Sequence, residues 1–353
     1  MRREFLLLAL IALSSVFLLP GCFGPQGEPY LVPDKADGYA VFKPSVILKD
    51  QDFIKSMDEA SRTQFEETLR KSKETYGVDL SAITKVTVFI NAARDGPETY
   101  AGIIIEGTFD KEKLIGNLKK NGTVTEEQYD GTTIYIYNST QSETAAQEYV
   151  TVRSDVSSVG LIAFVTDKQL VYGTEESVKD CIDVKNGRRK ALSDGTLDRM
   201  SKAVDPEGAV LLSMKVPSSW TNAIAQSGSA PYDTTSFSKA TYLSFSYSKT
   251  GPSMSLKSAV LFQGAGDAQK SSDVLQGLLS MARGFSKSGS ASEKLLKDVK
   301  VSSNGEMLSA SLEVTKETLD KLQQEMKEQA NPPTVPAYSD PGYGTGGARG
   351  IYD

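Results

Sequence analysis

The chain has no histidine among its 353 residues. That removes imidazole general bases, His-ligated metals and imidazole pH switches. Two thiols remain, Cys22 and Cys181, and carboxylates stand side by side at Glu66-Glu67, Glu126-Glu127 and Glu175-Glu176. Glycosidase-type chemistry needs two carboxyls converging across a cleft from different elements, whereas neighbours on one helix point apart. Glu175 and Glu176 follow Thr174 at the start of an expected helix, where negative charge favours the macrodipole. Cys181 falls on the apolar face of that helix with Val178 and Ile182, the setting of a core thiol rather than a reactive one. No catalytic residue, metal site or cofactor is expected.

Several motif fragments lack the context that would give them meaning. Gly342-x-Gly344-x-x-Gly347 has the spacing of a dinucleotide fingerprint but sits in a Pro/Gly/Tyr-rich tail, not between a strand and a helix. Ser236-Phe237-Ser238-Lys239 and Lys249-Thr250-Gly251 match two fragments of serine β-lactamases, yet they flank one expected strand and the Ser-Asp-Asn motif is absent. Arg188-Arg189-Lys190 reads as a solvated loop. Asn121-Gly122-Thr123 and Asn138-Ser139-Thr140 are glycosylation sequons at expected turns or strand ends. Trp220, the single tryptophan, is expected to pack between lobes.

The N-terminus carries an address. Arg2 and Arg3 precede an apolar run from Phe5 to Leu19, the form of a secretory signal and short for a membrane span. The run ends Leu19-Pro20-Gly21-Cys22, which resembles the lipobox of prokaryotic lipoproteins; Pro20 departs from the usual residue there. The resemblance implies cleavage after Gly21 and a lipid on Cys22. Several acyl chains on one cysteine anchor stably where a single chain does not. Residues 22–37, with Gly24, Pro25, Gly27, Pro29 and Pro33, read as a flexible tether, at most about 50 Å when extended.

The elements beyond it alternate strands and helices. Lys85–Asn91 and Thr99–Thr108 are Val/Ile-rich strands around Arg94-Asp95-Gly96-Pro97, and a helix capped by Asp110 ends at Asn121-Gly122. Strands follow at Thr132–Tyr137, Val159–Val165 and Gln169–Tyr172, then the helix capped by Thr174. The second half repeats the order: strands Ala240–Tyr247 and Met254–Phe262, a helix from about Ala268 to Phe285, and a hairpin of Leu296–Ser302 with Met307–Val314 around Asn304-Gly305. Thr315 caps a last helix. The openings correspond as well, Gly38-Tyr39-Ala40-Val41 with Gly208-Ala209-Val210-Leu211. A helix over Gln51–Tyr76 is expected to cover the first sheet.

The expected fold is α+β, two related lobes, each an antiparallel sheet with helices packed on one face. The expected organisation is signal peptide 1–21, tether 22–37, first lobe 38–190, linker 191–207, second lobe 208–329 and a disordered tail 330–353. The expected function is that of a membrane-anchored, extracytoplasmic lipoprotein acting as a non-catalytic binding or scaffolding protein. Its partners would be membrane lipid through Cys22 and a protein of the cell envelope; nucleic acid is disfavoured by a net charge of −6. An alternative is a carrier holding an apolar ligand between sheet and helices, lined by Leu275, Leu279 and Phe285. A hydrolase using carboxylates from both lobes, with or without a metal, is a third reading.

Overall fold

The computed structural model describes residues 30–50, 54, 57–91, 100–139, 159–193, 195–226 and 235–330. Residues 1–29, where the signal segment is expected, Thr140 of the second sequon, the Gly-Pro turn of the first half and the C-terminal tail lie outside these.

Twelve strands form one antiparallel sheet in the order β11-β12-β10-β9-β8-β1-β2-β3-β7-β6-β5-β4. They are β1 (Gly38–Phe42), β2 (Lys85–Asn91), β3 (Tyr100–Glu106), β4 (Gly122–Tyr129), β5 (Thr132–Ser139), β6 (Val159–Phe164) and β7 (Gln169–Gly173) in the first half. The second half supplies β8 (Val210–Lys215), β9 (Ala240–Thr250), β10 (Ser253–Phe262), β11 (Lys300–Asn304) and β12 (Met307–Val314). The fold is α+β, and its two lobes are related. Val41 faces Leu211 directly where β1 meets β8, with Ala40 opposite Leu212 and Phe42 opposite Val210. An approximate two-fold axis through that point carries β1-β2-β3-β7-β6 onto β8-β9-β10-β12-β11, and the hairpin β4-β5 is extra to the first half.

Because side chains alternate along strands, the ladder divides the sheet into two faces. Tyr39, Val41, Phe89, Ile104, Val171 and Leu211 mark the first face; Ala40, Val88, Ile103, Leu212 and Phe245 mark the second. Helix α1 (Pro44–Leu48) is short. Helix α2 begins at Glu59 and ends at Tyr76, with Asp58 accepting from Ser61 N and Gly77 closing it at φ 70°. It leans on α3 (Lys111–Asn121) and a short 3-10 turn (Leu80–Ala82), so the expected cover from residue 51 onward is corrected. Its polar composition explains this, since only Phe65 and Leu69 of its described central turns turn inward. Helix α3, capped by Asp110, packs Ile115 on Tyr135, Ile162 and Leu170 of the second face.

Helix α4 (Glu175–Lys185), capped by Thr174, lays Val178, Cys181 and Ile182 on the first face. Helix α5 (Gly195–Lys202) packs Leu197 and Met200 on the same face of the second half, over Leu211, Ala259 and Leu261. The expected linker 191–207 is thereby corrected: its apolar residues are core, and the lobes share one sheet. Helix α6 (Ser218–Gln226) is followed by α7 (Ala265–Phe285), which packs on Phe262 and Leu308 of the second half. Helix α8 (Ala291–Asp298) packs on α7, and α9 (Lys316–Ala330) packs on α8.

The tether is corrected too. Leu31 and Val32 are buried in the core with Ala36, and Val32 O accepts from Leu192 N at 2.7 Å. Pro33 bridges to Ala191, Asp34 N donates to Lys190 O, and Lys215 N donates to Asp37 O. Residues 30–37 form a strap built into the first face, because Leu31-Val32 gains more from burial than from exposure.

Candidate functional site

The strap runs past the one carboxylate buried in the first face of α4. Asp180 sits beside Cys181 and is 5% exposed, so its charge requires partners. The Tyr100 hydroxyl donates to Asp180 Oδ2 at 2.9 Å. Lys35 Nζ lies 3.2 Å from the same oxygen, and Arg189 Nε lies 2.9 Å from Oδ1. Lys35 also donates to Glu176 at 2.5 Å, and Arg189 to Asp34 at 2.9 Å. The strap is therefore tied to α4 and to the following loop by ion pairs as well as by its buried leucine and valine.

This network sets protonation. Glu176's hydrogen bond, opposed by burial and helped by Asp180, holds the Lys35 ammonium above its usual value. Burial first, then the Asp180 charge, push the Tyr100 hydroxyl well above the ordinary tyrosine range, so it stays a donor. Burial likewise raises the Cys181 thiol, which keeps it protonated and unreactive.

On its other side the strap walls an open bowl of about 380 Å³. Asp34, Lys35, Ala36 and Asp37 form one wall; Leu192, Ser193, Lys215 and Tyr242 form the other. The bowl lies where the two lobes meet, since the strap leads into β1 of the first half, whereas Lys215 ends β8 and Tyr242 is near the start of β9 in the second. Lys215 makes no ion pair among the described residues. Charges of both signs thus face a small open volume, an arrangement fitted to hold a polar ligand by ion pairs and hydrogen bonds.

The second face is different in kind. Across β3, β2, β1, β8 and β9, the residues Val86, Val88, Ile90, Ile103, Leu243 and Phe245 are each only half-buried. Together with buried Ala40, Leu212 and Met214 they make an apolar field at the centre of the sheet.

The residues singled out by sequence fall as follows. Cys22 lies outside the described residues, as does Gly342-x-Gly344-x-x-Gly347. Asn121 closes α3 and its amide donates to Asn117 O, while Asn138 is exposed on β5. Leu275 belongs to the packed cluster of Phe262, Ala268 and Leu308, and Leu279 is half-buried on α7. Phe285 is 85% exposed at the end of α7, which corrects the expected lining: the three do not share an enclosure. Trp220 is 36% exposed on α6 instead of sealing the lobes. In the run Arg188-Arg189-Lys190, Arg188 and Lys190 are exposed, as expected of a loop, but Arg188 pairs with Asp130 and Asp183, and half-buried Arg189 with Asp34 and Asp180. Ser236 is buried and bonded to Ser271, and Lys249 pairs with Asp50. Glu176, expected only to favour the helix macrodipole, also pairs with Lys35; sequence reasoning missed Asp180 and Lys35, although an Asp inside the apolar stripe Val178–Ile182 is the signal that marks them.

Among the described residues, no cluster of His, Cys, Asp or Glu fits a metal ion and no helix is long and apolar enough to cross a membrane. No family model and no curated protein matches the chain. Among solved structures it is similar to crystal form III of TP0453, at 8% identity and a TM-score of 0.44, over 85% of this chain and 99% of that one. Crystal form IV matches at 10% identity and 0.44, over 83% and 95% of the two chains, and crystal form I at 10% and 0.41, over 86% and 99%.

Proposed function

We propose that the chain is a lipid-anchored, extracytoplasmic binding protein that acts without catalysis, holding a polar ligand or envelope partner at the bowl beside its strap. The observation that carries this reading is the join between address and fold. Only residues 23–29 separate Cys22 from Tyr30, where the built-in strap begins. Such a segment reaches at most about 25 Å. A lipid on Cys22 would thus hold the bowl, whose wall is the strap itself, close to the bilayer surface. The bowl's volume falls within the range of small-molecule sites.

Fractionation of the producing cells tests the anchor. The protein is expected in the membrane fraction, with an intact mass that begins at Cys22 and includes acyl chains; Cys22→Ser is expected to abolish both. An unmodified chain of full length in the soluble fraction would overturn it.

The half-buried apolar field of the second face favours one further reading, a carrier of an apolar ligand. Native mass spectrometry of protein taken from its own membrane would then report a bound hydrophobic mass. Failure of the delipidated protein to take up a fluorescent fatty acid removes this reading and leaves the anchor untouched.

A further inference from the structure

We propose that the outer part of the second lobe's first face binds a phosphomonoester, with Lys257 and Lys300 clasping the phosphoryl group over Ser311. This site is separate from the bowl and from Cys22, and it depends on neither.

The ladder places it. Outward from the facing pair Val41 and Leu211, the residues in register on the first lobe's first face are Thr87, Ile104, Val171 and Ala163. The same count through the second lobe passes Ser246, Lys257, Ser311 and Lys300. The first row is buried from end to end. In the second, Ser246 is buried, but Lys257 and Ser311 are half-buried and Lys300 is exposed. Three core positions of one lobe are therefore two lysines flanking a serine in the other. Such a lysine lays its stem along neighbouring strands and leaves its charged head to be satisfied from outside.

Among the described residues neither lysine has a carboxylate partner, and the hydroxyls of Ser309 and Ser311 have no hydrogen-bond partner. Two carboxylates border the row, and both are held elsewhere. Asp205 accepts from Ser248 Oγ and from Glu207 N, and Glu313 accepts from Ser255 Oγ at 2.6 Å. Opposed residues on adjacent strands are about 5 Å apart, so the two lysine backbones stand about 10 Å apart with Ser311 midway. Ammoniums leaning inward converge above its hydroxyl. One group with three acceptor oxygens and nearly two negative charges fits that point, whereas a phosphodiester or a carboxylate brings a single charge. The face is open to water, so affinity near the millimolar range is expected.

A phosphomonoester occurs both free and as a lipid headgroup. Phosphorus NMR titrations of the purified protein in a non-ionic detergent separate the sources, with glycerol 3-phosphate and dihexanoyl phosphatidic acid as probes. Saturable binding of the first supports a free ligand; binding of the second alone supports a headgroup. In either case the diester dihexanoyl phosphatidylglycerol is expected to bind about tenfold more weakly. Lys257→Gln and Lys300→Gln are each expected to weaken the monoester about fivefold, the upper end for an exposed ion pair, with the parent melting temperature kept. Lys287→Gln removes an exposed charge between α7 and α8 and is expected to change affinity less than twofold. The proposal is overturned if neither monoester saturates by about 20 mM, or if the diester binds as tightly. It is equally overturned if both row substitutions leave affinity unchanged, or if Lys287→Gln weakens it as much as they do.

Discussion

The two lobes share a strand order but differ in what lies on the first face of the sheet. In the first lobe, the strap and α4 both cover that face, and the strands answer with Phe89, Tyr100, Ile104, Val171 and Ile134. Phe89 lies flat across β3 because Gly102 leaves room; a Cβ at Gly102 would come within 2.4 Å of its ring. In the second lobe, among the described residues, only α5 covers the face, near the axis. There the strands supply Ser213, Ser244 and Ser246, all buried, and farther out Lys257, Ser309 and Ser311. The difference follows the helix after the equivalent strand. After β7 the chain turns α4 onto the first face, whereas after β12 it turns α9 onto α8. One topology therefore carries an apolar core on one side of the axis and a hydroxyl-rich face on the other. Strand order alone does not dictate where a sheet is buried; the return of the next helix does.

The sharpest test of that contrast is Phe89→Ala. It empties a fully buried site under the strap and is expected to cost about 3–5 kcal/mol by urea unfolding. A loss near 1 kcal/mol would mean that the first face is no better packed in this lobe than in its relative. Next comes Asp180→Asn, which removes the charge that Lys35 and Arg189 both face. Breaking a buried pair costs about 3–5 kcal/mol, but Lys35 is 37% exposed, so roughly 2–3 kcal/mol is expected here. Hydrogen exchange should report the loss first in the amides of Asp34 and Leu192, which donate to Lys190 O and Val32 O across the strap. The same contact has a pH signature. The Lys35 pKa is raised in the folded state, so its contribution is present in full below the unfolded lysine value and fades as pH rises through the folded one. Strap protection is accordingly expected to fall above about pH 10.4, with the hydroxyl bonds of the second lobe changing less.

A smaller effect probes the other side of the axis. Ser244 Oγ donates to Ser213 Oγ at 2.7 Å, both buried. Ser213→Ala leaves the Ser244 hydroxyl without that acceptor and is expected to cost about 1–2 kcal/mol, whereas the double Ser213→Ala, Ser244→Ala variant should recover part of it. Additive losses in a double-mutant cycle would show that the two hydroxyls do not act as a pair.

Much of this architecture is legible in the chain. Runs such as Lys85–Asn91 and Ala240–Tyr247, the caps Asp110, Thr174 and Thr315, and the Asn304-Gly305 turn all lead to the elements found. The matched openings at Gly38 and Gly208 even locate the axis, since Val41 and Leu211 are equivalent and face each other. Strand β4 escaped because Glu126, Glu127 and Gln128 give an edge strand no apolar alternation. Helix α8 escaped because Leu295-Leu296 reads as a strand start, although Ser290-x-x-Glu293 has the capping-box spacing: Glu293 N donates to Ser290 Oγ at 3.1 Å, and Gly289 N donates to Glu293 Oε2 at 2.7 Å. The bowl was less legible still. Its wall, residues 34–37, lies in a stretch whose prolines and glycines read as loose chain. Pairing with residues 190–192, Ile90 and Lys215, all far away in sequence, makes it structure.

The smallest expected effect concerns the outer part of the second lobe's first face. Ser311 on β12 lies between Lys257 on β10 and Lys300 on β11 in the ladder, and its side chain is half-buried. Its counterpart by the two-fold relation lies on β7, where Val171 is fully buried beneath α4. If this part of the sheet is open to solvent, Ser311→Val exchanges a small hydroxyl for a better strand former and loses no buried hydrogen bond. The two terms nearly offset, and the change in stability should stay within about 0.5 kcal/mol of zero. Serine at Val171, by contrast, would bury a hydroxyl in an apolar site and is expected to cost about 2 kcal/mol or more. The pair of substitutions therefore measures the asymmetry itself. A loss above about 1 kcal/mol at Ser311, in thermal melts that depend on protein concentration, would mean that a second copy covers this face in solution, and that the open side of the comparison is an interface.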